Sequence, residues 1–501
     1  MRGLRWVLAI AVFGAVSAAQ TPEEKTAAYL ESVRQQPSLL LAFLQKMPKG
    51  GDLHVHLEGA IYAESMIDWA SENALCVDRS TSKLIRASCD SCETYRPKPS
   101  IRCAYQDHVL YNQLIDAWSM RNWHREEESG HDHFFGTFDK FEPAFDRHFG
   151  DAIAEVASRA SEDRLQYVEL MHTADGMEAA KVGAKTDWDD DFGALREKVL
   201  SGGLSDVVAL TRARLDQDEA RKKEVLHCGT AKAAPGCKVA IRYLYQVLRG
   251  LPREQVFAQI VLGFELAKAD PRFVGFNLVM PEDWYVPMHD FDLHMRMIEA
   301  LRKFYPPTRV SLHAGELAMG LVPPEELRFH IRESVERAGA ERIGHGTSVM
   351  SEDDAVGLLA ELAQRNVLVE ICLTSNDVIL GVSGNRHPLP MYLKYGVPVA
   401  LATDDQGVSR SDITHEYLRA VEGYGLSYKQ LKEMARESLT HSFLPGIGMF
   451  EPAAAKHPYC AVDLSLVREP SDACKDLLAK SEKAQVQWNL EKAFAEFEKT
   501  F

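Results

Sequence analysis

Eight short β-rich runs recur along this 501-residue chain, at 52–56, 165–171, 239–243, 273–278, 309–313, 342–345, 367–372 and 397–403. Amphipathic helical patterns fill most of the intervals, among them 293–302, 324–338 and 355–364. Regular alternation of strand and helix requires a parallel sheet with helical crossovers. Eight such units predict an α/β fold, a (β/α)8 TIM barrel. The competing architecture, an open doubly wound sheet, calls for a glycine-rich phosphate turn early in the chain. No G-x-G-x-x-G follows a strand here.

The barrel is expected over 50–445, after an N-terminal helical segment at 20–49. More than a hundred residues separate the first two strands, far more than one crossover needs. Much of that excess, about 73–133, reads as an insertion. A C-terminal helical tail is expected over 446–501. Residues 1–19 read as a cleaved signal peptide. Arg2 and Arg5 form a basic start, Trp6 to Val16 an apolar run, and Val16-Ser17-Ala18-Ala19 a small-residue cleavage site. The run is shorter than the ~20 residues a membrane span needs, so no span is expected. The chain is therefore expected to be secreted or periplasmic.

Nine cysteines fit that destination. Cys228 pairs most simply with Cys237, and Cys460 with Cys474. Cys76, Cys89, Cys92 and Cys103 lie together in the insertion and admit three connectivities. Cys372, in an apolar run, is left as a buried free thiol. The formal charge of −16 argues against a nucleic-acid partner, which would need a basic stripe. A small neutral or cationic ligand suits it better.

The chemistry begins at Gly50-Gly51-Asp52-Leu53-His54-Val55-His56. Side chains alternate along a strand, so His54 and His56 face the same way. In the first strand of a barrel, that face lies inward near the C-terminal mouth, where active sites sit. Other strand ends offer partners: His313-Ala314-Gly315-Glu316, Gly344-His345-Gly346 and Thr403-Asp404-Asp405. Each could be a turn or helix cap taken singly. Together, at C-terminal strand ends of one barrel, they predict a metal-dependent catalytic site. Two other patterns are set aside. His56-Leu57-Glu58 followed by Cys89-Asp90-Ser91-Cys92 mimics the H-x-E…P-C-x-x-C deaminase signature, but Ser88 replaces the proline and the cysteines are expected in disulfides. His131 and His133 follow Glu126-Glu127-Glu128 and read as a solvated loop.

These motifs, in this order, resemble the adenosine deaminase family of the amidohydrolase superfamily. The resemblance runs from about Pro48 to Leu444. It includes Cys372-Leu373-Thr374-Ser375-Asn376, His387-Pro388-Leu389 and Ser442-Phe443-Leu444-Pro445. The leader, the long insertion and Phe134-Phe135-Gly136-Thr137-Phe138 are most similar in layout to the secreted, growth-factor-related branch. The resemblance implies one zinc ion per chain on His54, His56, His313 and Asp404, and attack of zinc-bound hydroxide at C6 of a purine nucleoside. It also implies roles for three further residues. Glu316 would protonate N1, His345 would orient the attacking oxygen, and Asp405 would bond N7. Glu58 would contact the sugar.

One departure stands out. The family's D-L-x-G-x-E strand reads Asn277-Leu278-Val279-Met280-Pro281-Glu282 here. Met280 keeps a backbone amide for the purine, but its side chain could crowd the base. The leading expectation is deamination of adenosine or 2'-deoxyadenosine, or a related purine, to the inosine form. A second is an aminohydrolase acting on another small heterocycle or modified purine. A third, from another class, is an extracellular binding or growth-factor-like protein on the same scaffold. The N-terminal helices could also serve to form a homodimer.

Overall fold

The computed structural model describes residues 20–89, 91, 92, 97–449, 460 and 469–501. The signal-peptide reading, on residues 1–19, lies outside them. Ten strands are present among the described residues: β1 Gly50–His56, β2 Leu75–Asp78, β3 Lys83–Ser88, β4 Leu165–His172, β5 Ala240–Leu248, β6 Phe273–Val279, β7 Arg309–Ala314, β8 Arg342–His345, β9 Leu368–Ile371 and β10 Val399–Leu401. Eight of them form one parallel sheet in the order β1-β4-β5-β6-β7-β8-β9-β10. The seam between β10 and β1 is nearly closed by backbone bonds around Asp404. Its N–H donates to His54 O at 2.8 Å, and its carbonyl accepts from His56 N at 3.2 Å. All eight expected runs are strands of this barrel.

The strands between helices are buried on both faces, as in other parallel sheets. β9 is buried throughout, and β7 at all but its first residue. Helices pack outside with one apolar side inward. Phe149–Glu162, for example, buries Ile153, Val156, Ala157 and Ala160. Two helices, Pro22–Val33 and Pro37–Lys46, precede the barrel and dock on it beside the last helix, Glu482–Glu498. Phe43 meets Phe497 with ring centroids 5.2 Å apart, and Tyr29 meets Phe501 at 4.6 Å. Lys432 clamps the two ends together, 2.7 Å from Glu23 and 2.6 Å from Glu498.

The insertion carries β2 and β3 as an antiparallel ribbon. Disulfides Cys76–Cys89 and Cys92–Cys103 staple it, which selects one of the three open connectivities. Cys228–Cys237 and Cys460–Cys474 are bonded as expected, and Cys372 is free and buried. The zinc-deaminase mimic is thereby removed, since Cys89 and Cys92 are both oxidised. The stretch read as a solvated loop folds differently. Gly130–Phe141 is a helix, capped by Ser129, and His131 is buried in it. A carboxylate partner explains this burial: His131 Nε2 lies 2.9 Å from Asp283 Oδ1, on the loop after β6. His133 turns instead to Glu128 and the Ser119 carbonyl.

A chain of charges threads the barrel interior. The Arg342 guanidinium is fully buried, with Nη2 2.6 Å from Glu169 Oε2 and Nε 2.6 Å from Glu370 Oε1. The Phe443 ring covers it at 3.8 Å. Arg342→Leu would leave two carboxylates buried without their cation. Breaking a buried ion pair from one side costs about 3–5 kcal/mol, and urea unfolding should show a loss of that size. Denatured without reductant, the chain should take up a thiol label on Cys372 alone. After reduction it should take up nine, a difference that mass spectrometry reads directly.

Candidate metal centre and catalytic pocket

The site sits where the β1, β7, β8 and β10 ends meet. His54 and His56 share the inward face of β1. His313 is the penultimate residue of β7, His345 ends β8, and Asp404 and Asp405 follow β10. Local sequence makes room for them. A Cβ on Gly344 would stand 2.5 Å from His54 Cε1, and one on Gly59 would stand 1.6 Å from Asp405 Oδ1. These contacts explain the glycines of G-H-G and L-E-G. Met280, His345 and Asp404 have φ of +89°, +65° and +59°. Non-glycine residues in that region carry strain, and such strain collects at functional sites.

Three imidazole nitrogens converge. His313 Nε2 lies 3.0 Å from His54 Nε2 and 3.1 Å from His56 Nε2. Asp404 Oδ1 lies 3.4 Å and 3.2 Å from the same His54 and His56 atoms. Tetrahedral ligands with bonds of ~2.0–2.1 Å stand ~3.3 Å apart, so the spacing is that of a zinc-sized ion's ligand shell. Each ring is aimed by an acceptor on its far side. His54 Nδ1 is 2.6 Å from Glu370 Oε2, His56 Nδ1 is 2.9 Å from Gln246 Oε1, and His313 Nδ1 is 2.9 Å from Asn277 Oδ1. An acceptor on Nδ1 places the ring proton there and leaves Nε2 with its lone pair. Three lone pairs facing one point repel unless a cation sits among them. The residues present therefore fit a divalent ion of the zinc type.

The electrostatics agree. Burial alone would push His54 down, yet Asp404 and Glu370 carry it up to about 10. Burial would raise Asp404, but its bonds to His54 and His56 hold it well below the usual carboxylate range. The pocket demands positive charge, as proton or as metal. Glu316 behaves in the opposite way. Burial, then Asp404 and Glu282, push its carboxyl well above the ordinary value, so it keeps a proton. Glu282 fixes the turn that carries it, accepting the N–H groups of Gly315 at 3.0 Å and Glu316 at 2.8 Å. Asp405 is likewise pushed well up by burial and by Asp404.

Met280 follows directly on β6. Its thioether folds onto Gly250, whose N–H donates to Sδ at 3.3 Å. A Cβ at Gly250 would meet Met280 Cε at 2.8 Å. Glu58 lies beside His172, with Oε1 3.5 Å from Nδ1. Sequence reasoning missed His172, because the expected run stops at Met171 and β4 continues one residue further. It also missed Glu370, Gln246 and Asn277 as ring-orienting groups. An acid inside the apolar stretch Val367-Leu368-Val369-Glu370-Ile371 was the available signal for Glu370.

A (β/α)8 barrel with histidines and acids gathered at its C-terminal strand ends has the amidohydrolase fold. Residues 206–448, just under half of the chain, match the family model described as adenosine deaminase. It is 34% identical over 194 residues to the adenosine deaminase of Escherichia coli (strain SMS-3-5 / SECEC), covering 38% of this chain and 48% of that protein. The chain thus spans about half the length of this curated relative. In fold it is similar to Arabidopsis ADAL solved with GMP (TM-score 0.52, 19% identity, 85% of this chain and 98% of the other). It is also similar in fold to an adenine deaminase from Arthrobacter aurescens (TM-score 0.50, 18% identity, 82% and 96% covered).

The ring-orienting groups can be tested apart from the ligands. Gln246→Leu removes the acceptor behind His56 and, with it, a bond from Gln246 Nε2 to Thr173 Oγ1 at 3.3 Å. Loss of such a partner typically lowers metal affinity about 10–100-fold. Competition with a chelating dye should find zinc held that much more weakly, with secondary structure unchanged by circular dichroism.

Proposed function

We propose that this chain is a zinc-dependent hydrolase that deaminates adenosine, 2'-deoxyadenosine or a related purine to the inosine form, releasing ammonia. The observation that carries the reading is the pairing of two sites in one pocket. One is the convergence of three histidine lone pairs with Asp404. The other is the adjacent Glu316 carboxyl, held protonated. One zinc ion on His54, His56, His313 and Asp404 would supply the positive centre that acidifies water near neutral pH.

The chain's own residues do the rest. Glu316 gives its proton to N1 of the purine, which makes the neighbouring carbon electrophilic. Asp405, protonated, donates to N7 and fixes the ring's other edge. His345 meets the attacking oxygen as charge develops on it. The Met280 amide faces the base, and its left-handed backbone is the conformation glycine would adopt there. Glu58, with His172, takes the sugar hydroxyls. A second reading rests on Met280: a side chain stands where the resembled family's strand carries glycine, which favours a modified purine or other heterocycle. The four disulfides support an oxidising, extracytoplasmic setting. The stapled insertion supports the secreted, growth-factor-related layout.

The test is purified chain, zinc and adenosine, followed by ultraviolet absorbance and product chromatography. Inosine should accumulate, cease on chelation and return with zinc. Glu316→Gln should keep the metal yet lose activity by about 10²–10⁴-fold, the usual worth of a positioned acid. If adenosine stays intact while a modified purine is turned over, the second reading replaces the first. If the wild-type chain turns over no purine or related heterocycle at any metal loading, neither reading stands.

A further inference from the structure

Behind His345 lies a buried relay that the roles above do not use. Asn376, in the helix Leu373–Leu380, has Nδ2 3.0 Å from His345 Nδ1. Its Oδ1 lies 3.0 Å from His387 Nε2. His387 Nδ1 in turn accepts the backbone N–H of Leu389 at 3.1 Å. Asn376 and His345 are fully buried and His387 nearly so, which leaves no room for water to substitute at these contacts.

The direction of every bond in this chain follows from its last member. A backbone N–H can only donate, so His387 Nδ1 has no proton. Burial and nearby Arg419 push His387 down to about 4, so the ring is neutral and its one proton is on Nε2. That proton must go to an acceptor, which orients the Asn376 amide with oxygen toward His387. The amide nitrogen then faces His345 and donates to Nδ1. A neutral His345 that accepts a hydrogen bond at Nδ1 carries its own proton on Nε2. Nε2 is buried and has no protein partner. The ring stands among the ligand histidines, with centroids 4.9 Å from His54 and 5.2 Å from His313. Glu316 Oε1, the other group near Nδ1, is 3.6 Å away and outside bonding distance.

We infer that Asn376 and His387 are positioning residues that lock His345 with its proton on Nε2, making it a hydrogen-bond donor to the attacking oxygen and not the base that deprotonates it. The inference deepens the deaminase reading and rests on it for the identity of that oxygen. The tautomer itself is a property of the chain alone. No bond is made or broken by the relay: each proton stays on its nitrogen, and the only thing transmitted is orientation. The strained φ of +65° at His345 has a use under this arrangement, since it presents Nδ1 to Asn376 while the other nitrogen stays free.

The direct measurement is the nitrogen spectrum of full-length, zinc-loaded protein labelled with ¹⁵N-histidine, with His345→Asn used to assign the signals. A protonated Nε2 and an unprotonated Nδ1 are expected at His345. The reverse tautomer overturns the inference, whatever the enzyme does. Asn376→Asp replaces the amide donor by an acceptor, so the proton should move to Nδ1. The loss of a preorganised donor should lower kcat about 10²–10³-fold. KM should remain within about threefold and the zinc content unchanged, the signature of an interaction made only in the transition state. An Asn376→Asp enzyme with unchanged tautomer and unchanged kcat overturns the inference as well. His387→Leu should weaken kcat, and His387→Gln, which restores an N–H toward Asn376, should recover the larger part. Equal losses in both His387 variants would count against the relay. If Asn376→Asp fails to fold, the wild-type spectrum and the His387 pair still decide. A wild-type chain with the expected tautomer and no purine turnover would refute the proposed function while leaving the relay in place.

Discussion

Two imidazole nitrogens pressed to within 3.1 Å of a third are a repulsive arrangement, and the surrounding barrel is built to hold it. No ring is free to turn away. Glu370, Gln246 and Asn277 each accept a hydrogen bond from the far nitrogen, so rotating any histidine would break a buried hydrogen bond. A buried bond left unmade costs about 1–3 kcal/mol, and more where a charge is involved. Glu370 is itself anchored by Arg342 and by the Ser311 hydroxyl at 3.0 Å. Arg342 in turn faces Glu169, which also accepts from Tyr167 and from Phe443 N. Two acids and one guanidinium leave one negative charge over, and it lies against His54. Charge in the barrel core thus propagates to the histidine cluster.

The backbone is committed to the same end. β10 does not run alongside β1 as an ordinary neighbour. The two are joined by Asp404, which exchanges backbone bonds with both His54 and His56 while its side chain faces their rings. Closing the barrel and completing the ligand set are therefore one event. The left-handed φ at Asp404 follows from doing both at once. Ser375 Oγ, 2.7 Å from Asp404 Oδ2, holds the second carboxylate oxygen away from the cluster. A residue unable to bond through both main chain and side chain at this position would open the seam and empty the site together.

Much of this was legible before any coordinates. The strands could be read because their apolar runs are short, β-branched and separated by helical patterns. The histidines and acids that gather at the barrel mouth could be read because they fall at the ends of those runs. The disulfides at 228–237 and 460–474 were legible because no other cysteine lies near. What stayed hidden was whatever depends on two distant strands meeting. Gln246 looks like an ordinary polar residue until β5 is placed so that it faces His56. His131 looked solvated because its neighbours are charged, and only the partner Asp283, 152 positions away, makes its burial affordable. The packing of Met280 on Gly250 was hidden in the same way, since the two lie 30 positions apart.

The pocket's last property is its division of labour between acids. Asp404 and Glu316 are both buried, yet one is held ionised and the other protonated. Desolvation acts on both in the same direction, so it cannot be what separates them. The difference is in partners. Asp404 stands against two imidazoles that hold it down, and it accepts from the Ser375 hydroxyl. Glu316 Oε1 has no hydrogen-bond donor, and its nearest acids, Asp404 and Glu282, repel a second negative charge. Glu282 is ionised, its carboxyl lowered to about 2 although burial opposes this, because His330 and Arg249 stand against it. Ionised Glu282, which supports the turn, adds to burial and to Asp404 in keeping the acid in the pocket neutral. Neighbouring carboxyls with opposed pKa values are how a single site offers an anion to a metal and a proton to a substrate at the same pH.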